Sequence, residues 1–282
     1  MGINELSNGV GGTGCGVYSV AELEARGWDR NRRRRAVADG VLTPLRRGWF
    51  AEPGHDPEVA RAVRAGGTLA CVSVLRKAGF WVPPGYPGVH VRRGRATTAD
   101  PLSCRGFTRM DAGETAVDPV VTALECAARC MSGEDWIAVC DSVQNRHGVS
   151  AETLRGAMGR LPAKAVALFA KTDGRSQSGT ESLCRVRLRS LGFGVIVQPE
   201  IPGVGRVDLR IGRLLIECDG EQYHSGRDEF RNDRRRDRAS LLGGWYSMRF
   251  TYDDIVFGWD DAVADIRAFT SVDRHRIRDV RQ

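Results

Sequence analysis

The chain has 282 residues, long enough for two or three domains, and its 41% hydrophobic and 27% charged residues exclude a fibrous or wholly disordered chain. No stretch approaches the ~18 apolar residues of a membrane span, and the N-terminus carries neither the basic segment nor the apolar run of a signal peptide, so a cytoplasmic protein with reduced thiols and no membrane partner is expected. Lys plus Arg outnumber Asp plus Glu by 42 to 35, and the resulting +7 favours an acidic partner, of which nucleic acid is the common one.

Residues 1–16 are rich in Gly, Asn and Ser and read as a disordered tail. Ser19 can cap a first helix that ends at Gly27, and Asp29 can cap a second, from Arg30 to Ala38. A short hairpin follows, with its turn at Arg46-Arg47-Gly48. Helix, turn, basic helix and hairpin over 17–54 is the order of a small winged helix-turn-helix.

Residues 55–171 read as a mixed α/β connecting domain. Helices are expected at Glu58–Ala65, Thr68–Ala78, Trp136–Gln144 and Ala151–Met158, and strands near Val89–Arg92 and Phe107–Met110. Another helix runs to Cys130, with Asp118 as its N-cap and Pro119 at its first position. Of the eight cysteines none forms a CxxC pair. Cys126 and Cys130 share a helix face, a spacing compatible with metal, but the set reads as small buried hydrophobes.

Thr172 to Gly179 has the composition of a linker, and a last domain spans 178–282. Ser178 and Glu181 make a capping-box pattern at the start of its first helix. Strands follow at 195–198, 206–211 and 213–219. A strongly basic helix, Arg227 to Leu242, leads to a fourth strand, and Asp253-Asp254 cap a final helix pair.

The chemistry concentrates in that domain. Asp208 and Glu217 lie on successive strands of a hairpin, so they can sit side by side. Glu217 and Asp219 alternate on one strand and share a face. Carboxylates gathered this way repel one another unless a cation is bound, and a hard divalent cation prefers oxygen ligands.

The ordered set Glu181, Val207-Asp208, Ile216-Glu217-Cys218-Asp219-Gly220, Tyr223-His224, an Arg/Asp-rich helix and Met248-Arg249-Phe250-Thr251 resembles the very-short-patch-repair-like branch of the PD-(D/E)XK nuclease superfamily. The resemblance covers roughly 178–268. It implies a restriction-endonuclease-like α/β (α+β) fold and an endonuclease that hydrolyses phosphodiester bonds in DNA. It also implies Mg²⁺ (or Mn²⁺ in its place) on Asp208 and Glu217, with the Cys218 carbonyl assisting and Glu181 nearby. The lysine expected two residues after Glu217 is replaced by Asp219. His224 then becomes a candidate general acid or base, with Asp219 as the other group in reach of proton transfer. Each residue also has a plain structural reading: Asp219 as a turn former, His224 as a surface histidine, Glu181 as a capping residue.

Arg227, Arg231, Arg234 and Arg238 fall on one stripe of the basic helix, suited to a phosphate backbone. The alternative is a solvated face paired with Asp233 and Asp237. The 17–54 segment is similar to the winged helix of abortive-infection type IV antitoxins, which implies DNA contacts from Arg30, Arg34 and Arg35 and a partner protein from a toxin–antitoxin or defence operon. It departs from that pattern at Arg32 and Arg33, where apolar residues would face the core. Two rivals to a repair nuclease stand beside it: an antitoxin-like DNA-binding transcriptional regulator with a degenerate nuclease domain, and a toxin or defence effector whose nuclease is released by a partner.

Overall fold

The computed structural model describes residues 14–93, 103–107, 115–219 and 227–272, the last stretch in side-chain detail from 234 onwards. The described residues form twelve helices and four small sheets, a mixed α+β architecture. The chain divides into two compact units, Met1–Trp136 with His147–Ala170, and Ile137–Arg146 with Lys171–Gln282. No helix among the described residues is long and apolar enough to cross a membrane.

The first unit begins with β1 (Val17–Ser19), α1 (Val20–Ala25), α2 (Arg30–Ala38), β2 (Thr43–Arg46) and β3 (Trp49–Ala51). Both helix starts are set by side-chain caps, as the sequence anticipates. Ser19 Oγ accepts the Glu22 amide while the Glu22 carboxylate accepts the Ser19 amide, and Asp29 accepts the Arg32 amide at 2.7 Å. The hairpin turns at Arg47-Gly48, with Gly48 at φ 81, and β3 pairs antiparallel with both β1 and β2. Tyr18, Leu23, Ala36 and Leu42 make a small core, with Trp28, Val37 and Phe50 against it.

The two arginines that interrupt the apolar pattern of α2 are accommodated differently. Arg33 is buried but carries its charge out to the Trp28 carbonyl at 2.6 Å and Glu24 at 3.0 Å, while Arg32 is exposed and lies over the Trp28 ring. The expected disordered tail is corrected at its end. The amides of Asp56 and Glu52 donate to the carbonyls of Cys15 and Gly16, so backbone hydrogen bonds hold the chain there. The rest of that tail, 1–13, lies outside the described residues.

The remainder of this unit comprises α3 (Pro57–Arg64), β4 (Thr68–Leu69), α4 (Cys71–Lys77), β5 (Val91–Arg92), β6 (Ser103–Cys104), α5 (Val120–Cys130), the start of α6 (Gly133–His147), α7 (Ala151–Ala157) and α8 (Ala163–Phe169). β5 is the middle strand, antiparallel to β4 and parallel to β6. The helix expected from Thr68 starts only at Cys71, because Thr68 and Leu69 are drawn into this sheet. Asp118 is not an N-cap. It holds Arg92 in a buried two-pronged ion pair at 2.8 and 2.7 Å, and α5 starts at Val120 with Pro119 before it. Phe107 is not in a strand, and 108–110 lie outside the described residues. Trp136 is fully buried and donates to the Leu124 carbonyl. The sequence reading did not anticipate α8.

The second unit takes in the later part of α6. Asp141 on that helix pairs at 2.5 Å with Arg185 on α9 (Gly179–Ser190), both side chains fully buried. The segment read as a linker is packed onto α6. The Asp173 amide donates to Asp141 at 2.6 Å, Ser176 is buried, and a side chain at Gly174 would collide with Gln144. Beyond it come β7 (Ile196–Val197), β8 (Glu200–Ile201), β9 (Gly205–Arg206), β10 (Leu209–Ile211), β11 (Leu214–Cys218), α10 (Arg227–Leu242), β12 (Tyr246–Phe250), α11 (Tyr252–Val256) and α12 (Trp259–Ser271).

The main sheet of this unit has the order β12-β11-β10-β7, with β11 antiparallel to β10 and parallel to β12. The single strand expected over 206–211 is two. β9 pairs with β8 in a separate hairpin, and Val207-Asp208 bridges from it to β10. Val207 is buried with Ile201, Val204 and Leu215, under Ala239 and Trp245, which fixes the backbone beside Asp208. The cap of α11 is Thr251, in a box with Asp254, rather than the Asp253-Asp254 pair itself.

Candidate active site

Asp208 is the residue just before β10. The pairing Leu209↔Ile216 sets it across from Glu217 on β11, as the hairpin spacing predicts. Asp208 Oδ2 accepts the Cys218 amide at 2.8 Å, and Oδ1 accepts the Gln198 side-chain amide at 3.2 Å. That same Gln198 nitrogen donates to Glu181 Oε2 at 2.8 Å. One amide thus links a helix carboxylate to a strand carboxylate. Gln198 holds φ at 49, a left-handed conformation that costs a side-chain-bearing residue about 1–3 kcal/mol and that is held here by its amide bond to the Asp208 carbonyl.

Glu181 is more than a capping residue. Ser178 Oγ caps α9 by accepting the Glu181 amide, but the Glu181 carboxylate turns to the Gln177 amide and to Gln198. Burial, and then the charge of Asp208, push its carboxyl up to about 7. Burial likewise raises Asp208, with the Asp219 charge adding to the rise and the Cys218 amide opposing it. Glu217 is pushed up to about 7 by burial and by Asp208, against the pull of Arg236 and Arg249.

Arg236 is the cation of the site. Its guanidinium donates to Glu217 Oε1 at 2.7 Å, and also to the carbonyls of Arg206 and Val204. Arg249 is the strand neighbour of Glu217 on β12 and reaches Asp237 at 3.9 Å. Among the described residues no three of these carboxylates bring ligand atoms within 4.8 Å of one another. The Gln198 amide and the Arg236 guanidinium stand among them and take up part of their mutual repulsion. The donor set is nonetheless all oxygen and all carboxylate, the set a hard divalent cation selects.

Asp219 is half-buried, and its amide donates to the Phe250 carbonyl at 2.9 Å, continuing the β11–β12 ladder. The Cys218 thiol is buried against Cys184, so what Cys218 offers at the site is backbone. His224 lies outside the described residues. Arg227 and Arg231 lie on α10, with side chains outside the described ones, and Arg234 and Arg238 on the same helix are exposed. Arg30, Arg34 and Arg35 are exposed along α2, and Asn31, Arg34, Arg35 and Ala38 line a shallow surface pocket.

Two site residues were missed by sequence reasoning. Gln198 closes a short strand and carries no motif. Arg236 is one of three successive arginines, and the stripe chosen by spacing excludes it. No local signal singles it out: Ala239, three residues on and on the same helix face, marks the packed side only once the helix lies against the cluster of Ile201, Val204, Val207 and Leu215.

No family model, curated protein or solved structure matches the chain. What fold and site define together is a mixed α+β protein whose second unit holds a half-enclosed group of carboxylates between a helix, a hairpin and a basic helix.

Proposed function

We propose that the second unit is a PD-(D/E)XK-like, metal-dependent endonuclease acting on DNA, as the resemblance to the very-short-patch-repair-like branch implies. The observation that carries this reading is the chain of contacts Glu181–Gln198–Asp208–Cys218 amide, with Glu217 directly across the hairpin from Asp208. Buried carboxylates are costly to hold together, and a fold that gathers them with matched donors fits a site built for cationic charge.

Asp208 and Glu217 would hold Mg²⁺, or Mn²⁺, with the Cys218 carbonyl, and Glu181 would hold a water or second ion. A divalent cation in such a setting neutralises phosphate charge and lowers the pKa of a water. Gln198 orients Glu181 and Asp208, and Arg236 holds Glu217 in place. Asp219 or His224 would move the proton. The exposed Arg234 and Arg238, with Arg227 and Arg231 on the same helix, would hold the phosphate backbone without reading sequence.

The first unit would deliver DNA. Its opening β1–α1–α2–β2–β3 segment resembles an antitoxin winged helix, and the exposed Arg30, Arg34 and Arg35 on α2 support DNA contact there. The same observation favours the second reading, a DNA-binding regulator whose nuclease unit is inactive.

The test is cleavage of plasmid DNA by the full chain with Mg²⁺ or Mn²⁺, beside Asp208→Ala and Glu217→Ala. Metal-dependent nicking by the wild type, lost in both variants with the fold intact by circular dichroism, is expected. No cleavage with any metal while DNA binding persists would replace the nuclease by the regulator. Cleavage that survives in both variants would move the site elsewhere.

A further inference from the structure

Far from the carboxylates in the chain, four side chains of the first unit converge for which the nuclease reading has no use. Cys71 opens α4, His90 precedes β5, Cys104 lies on β6 and Cys130 ends α5. One ligand atom from each lies within 4.8 Å of all the others, and no other group of three or more His, Cys, Asp or Glu among the described residues meets that limit. His90 Nδ1 is 3.2 Å from Cys104 Sγ, and Cys130 Sγ is 3.5 Å from Cys104 Sγ. We propose that Cys71, His90, Cys104 and Cys130 form a closed tetrahedral site for a structural zinc ion, an assignment independent of the nuclease reading.

Spacing and chemistry agree on the ion. Tetrahedral Zn–S bonds of about 2.3 Å and Zn–N bonds of about 2.0 Å put neighbouring ligand atoms roughly 3.5–3.8 Å apart, close to the contacts seen here. Three thiolates and one imidazole are a soft set that suits zinc and not magnesium or calcium. Four protein ligands leave no open position, which is the mark of a structural rather than a catalytic centre. Cys71, His90 and Cys104 are buried and Cys130 is half-buried, so the set is enclosed and not a chance surface cluster.

The surrounding fold gives such an ion a purpose. The sheet β4-β5-β6 is built from strands of two residues each, too short to hold themselves together by ladder hydrogen bonds. The four ligands tie two of its strands, or the residue beside them, to the first residue of α4 and the last of α5. Cys71 has φ 54, a left-handed conformation that a cysteine adopts only under constraint, and ligand clamps are where such constraint is found. A disulfide would use two of the four groups and needs sulfurs about 2.05 Å apart.

The full chain is expressed in zinc-supplemented medium and purified under reducing conditions without chelator, and its metal is measured by elemental mass spectrometry. About one zinc per chain is expected, released when the thiols are alkylated under denaturing conditions. Cobalt exchanged into the full chain is expected to show tetrahedral d–d bands and thiolate charge transfer. Cys130→Ser, which alters the most accessible ligand, should lose roughly a third of that charge-transfer intensity, one thiolate of three. Cys126→Ser, a buried cysteine on the same helix outside the cluster, and Asp208→Ala should both keep the zinc. A wild-type chain that holds less than about a tenth of an equivalent after zinc reconstitution under reductant would overturn the proposal. So would zinc that follows Asp208, or cobalt spectra without thiolate character.

Discussion

Glu181→Gln changes one atom and removes one charge from the buried carboxylate group. The hydrogen bonds from the Gln177 amide and the Gln198 side-chain amide end on Oε2, so a glutamine with its carbonyl in that position keeps them. The charge it removes is an unwelcome one. Burial and Asp208 raise the Glu181 carboxyl from 4.5 to about 7, so the fold prefers the protonated acid. The stability this preference supplies is present at and below the ordinary carboxylate range and is lost as pH rises through about 7. At 1.36 kcal/mol per pKa unit the wild type loses roughly 3 kcal/mol between pH 5 and pH 8 through this group alone, and the variant loses none of it. Urea denaturation of both proteins at pH 5 and pH 8 in the presence of a chelator measures the difference. The variant is expected to match the wild type near pH 5 and to exceed it by up to about 3 kcal/mol at pH 8. A variant no more stable than the wild type at pH 8, or a wild type whose stability changes between pH 5 and pH 8 just as the variant's does, would refute the reasoning that Glu181 is held against its ionisation.

Three further outcomes test other parts of the structure. Arg236→Ala removes the donor to Glu217 and to the Val204 and Arg206 carbonyls, and should cost about 1–3 kcal/mol in urea denaturation while leaving the α10 helix formed. Arg185→Met strands Asp141 as a buried charge without its partner, and a loss of about 3–5 kcal/mol is expected by the same measurement; a loss below about 1 kcal/mol would mean the pair contributes only packing. Replacing Arg30, Arg34 and Arg35 together by alanine should weaken DNA binding evenly across sequences and lower the slope of log affinity against log salt by about 2–3, read by fluorescence anisotropy at several salt concentrations.

Much of the element plan is local in origin and legible from the chain. Ser19, Asp29 and Ser178 cap the helices they were expected to cap, because a short polar side chain just before a helix answers its orphan amides wherever the rest of the protein lies. The turn at Gly48 and the hairpin that sets Asp208 opposite Glu217 are likewise short-range. Long-range competition accounts for the misses. Asp118 forgoes its helix for Arg92, twenty-six residues away in the chain, since a buried guanidinium needs a carboxylate more than a helix start needs a cap. Thr68 and Leu69 join a sheet whose other strands begin at Val91, more than twenty residues on.

Local sequence was enough for most of the helices and their caps, the basic character of α10 and the pairing of two carboxylates across a turn, because caps, periodicity and hairpin register act over a few residues. Tertiary structure alone decided which groups share a site. It turned Glu181 from its cap toward Gln198 and chose Arg236 from three adjacent arginines. It also gathered Cys71, His90, Cys104 and Cys130, spread over sixty residues without a CxxC spacing, into one cluster. Such meetings depend on how separate elements pack, and nothing in the local pattern of a chain records the distance between residues that folding brings together.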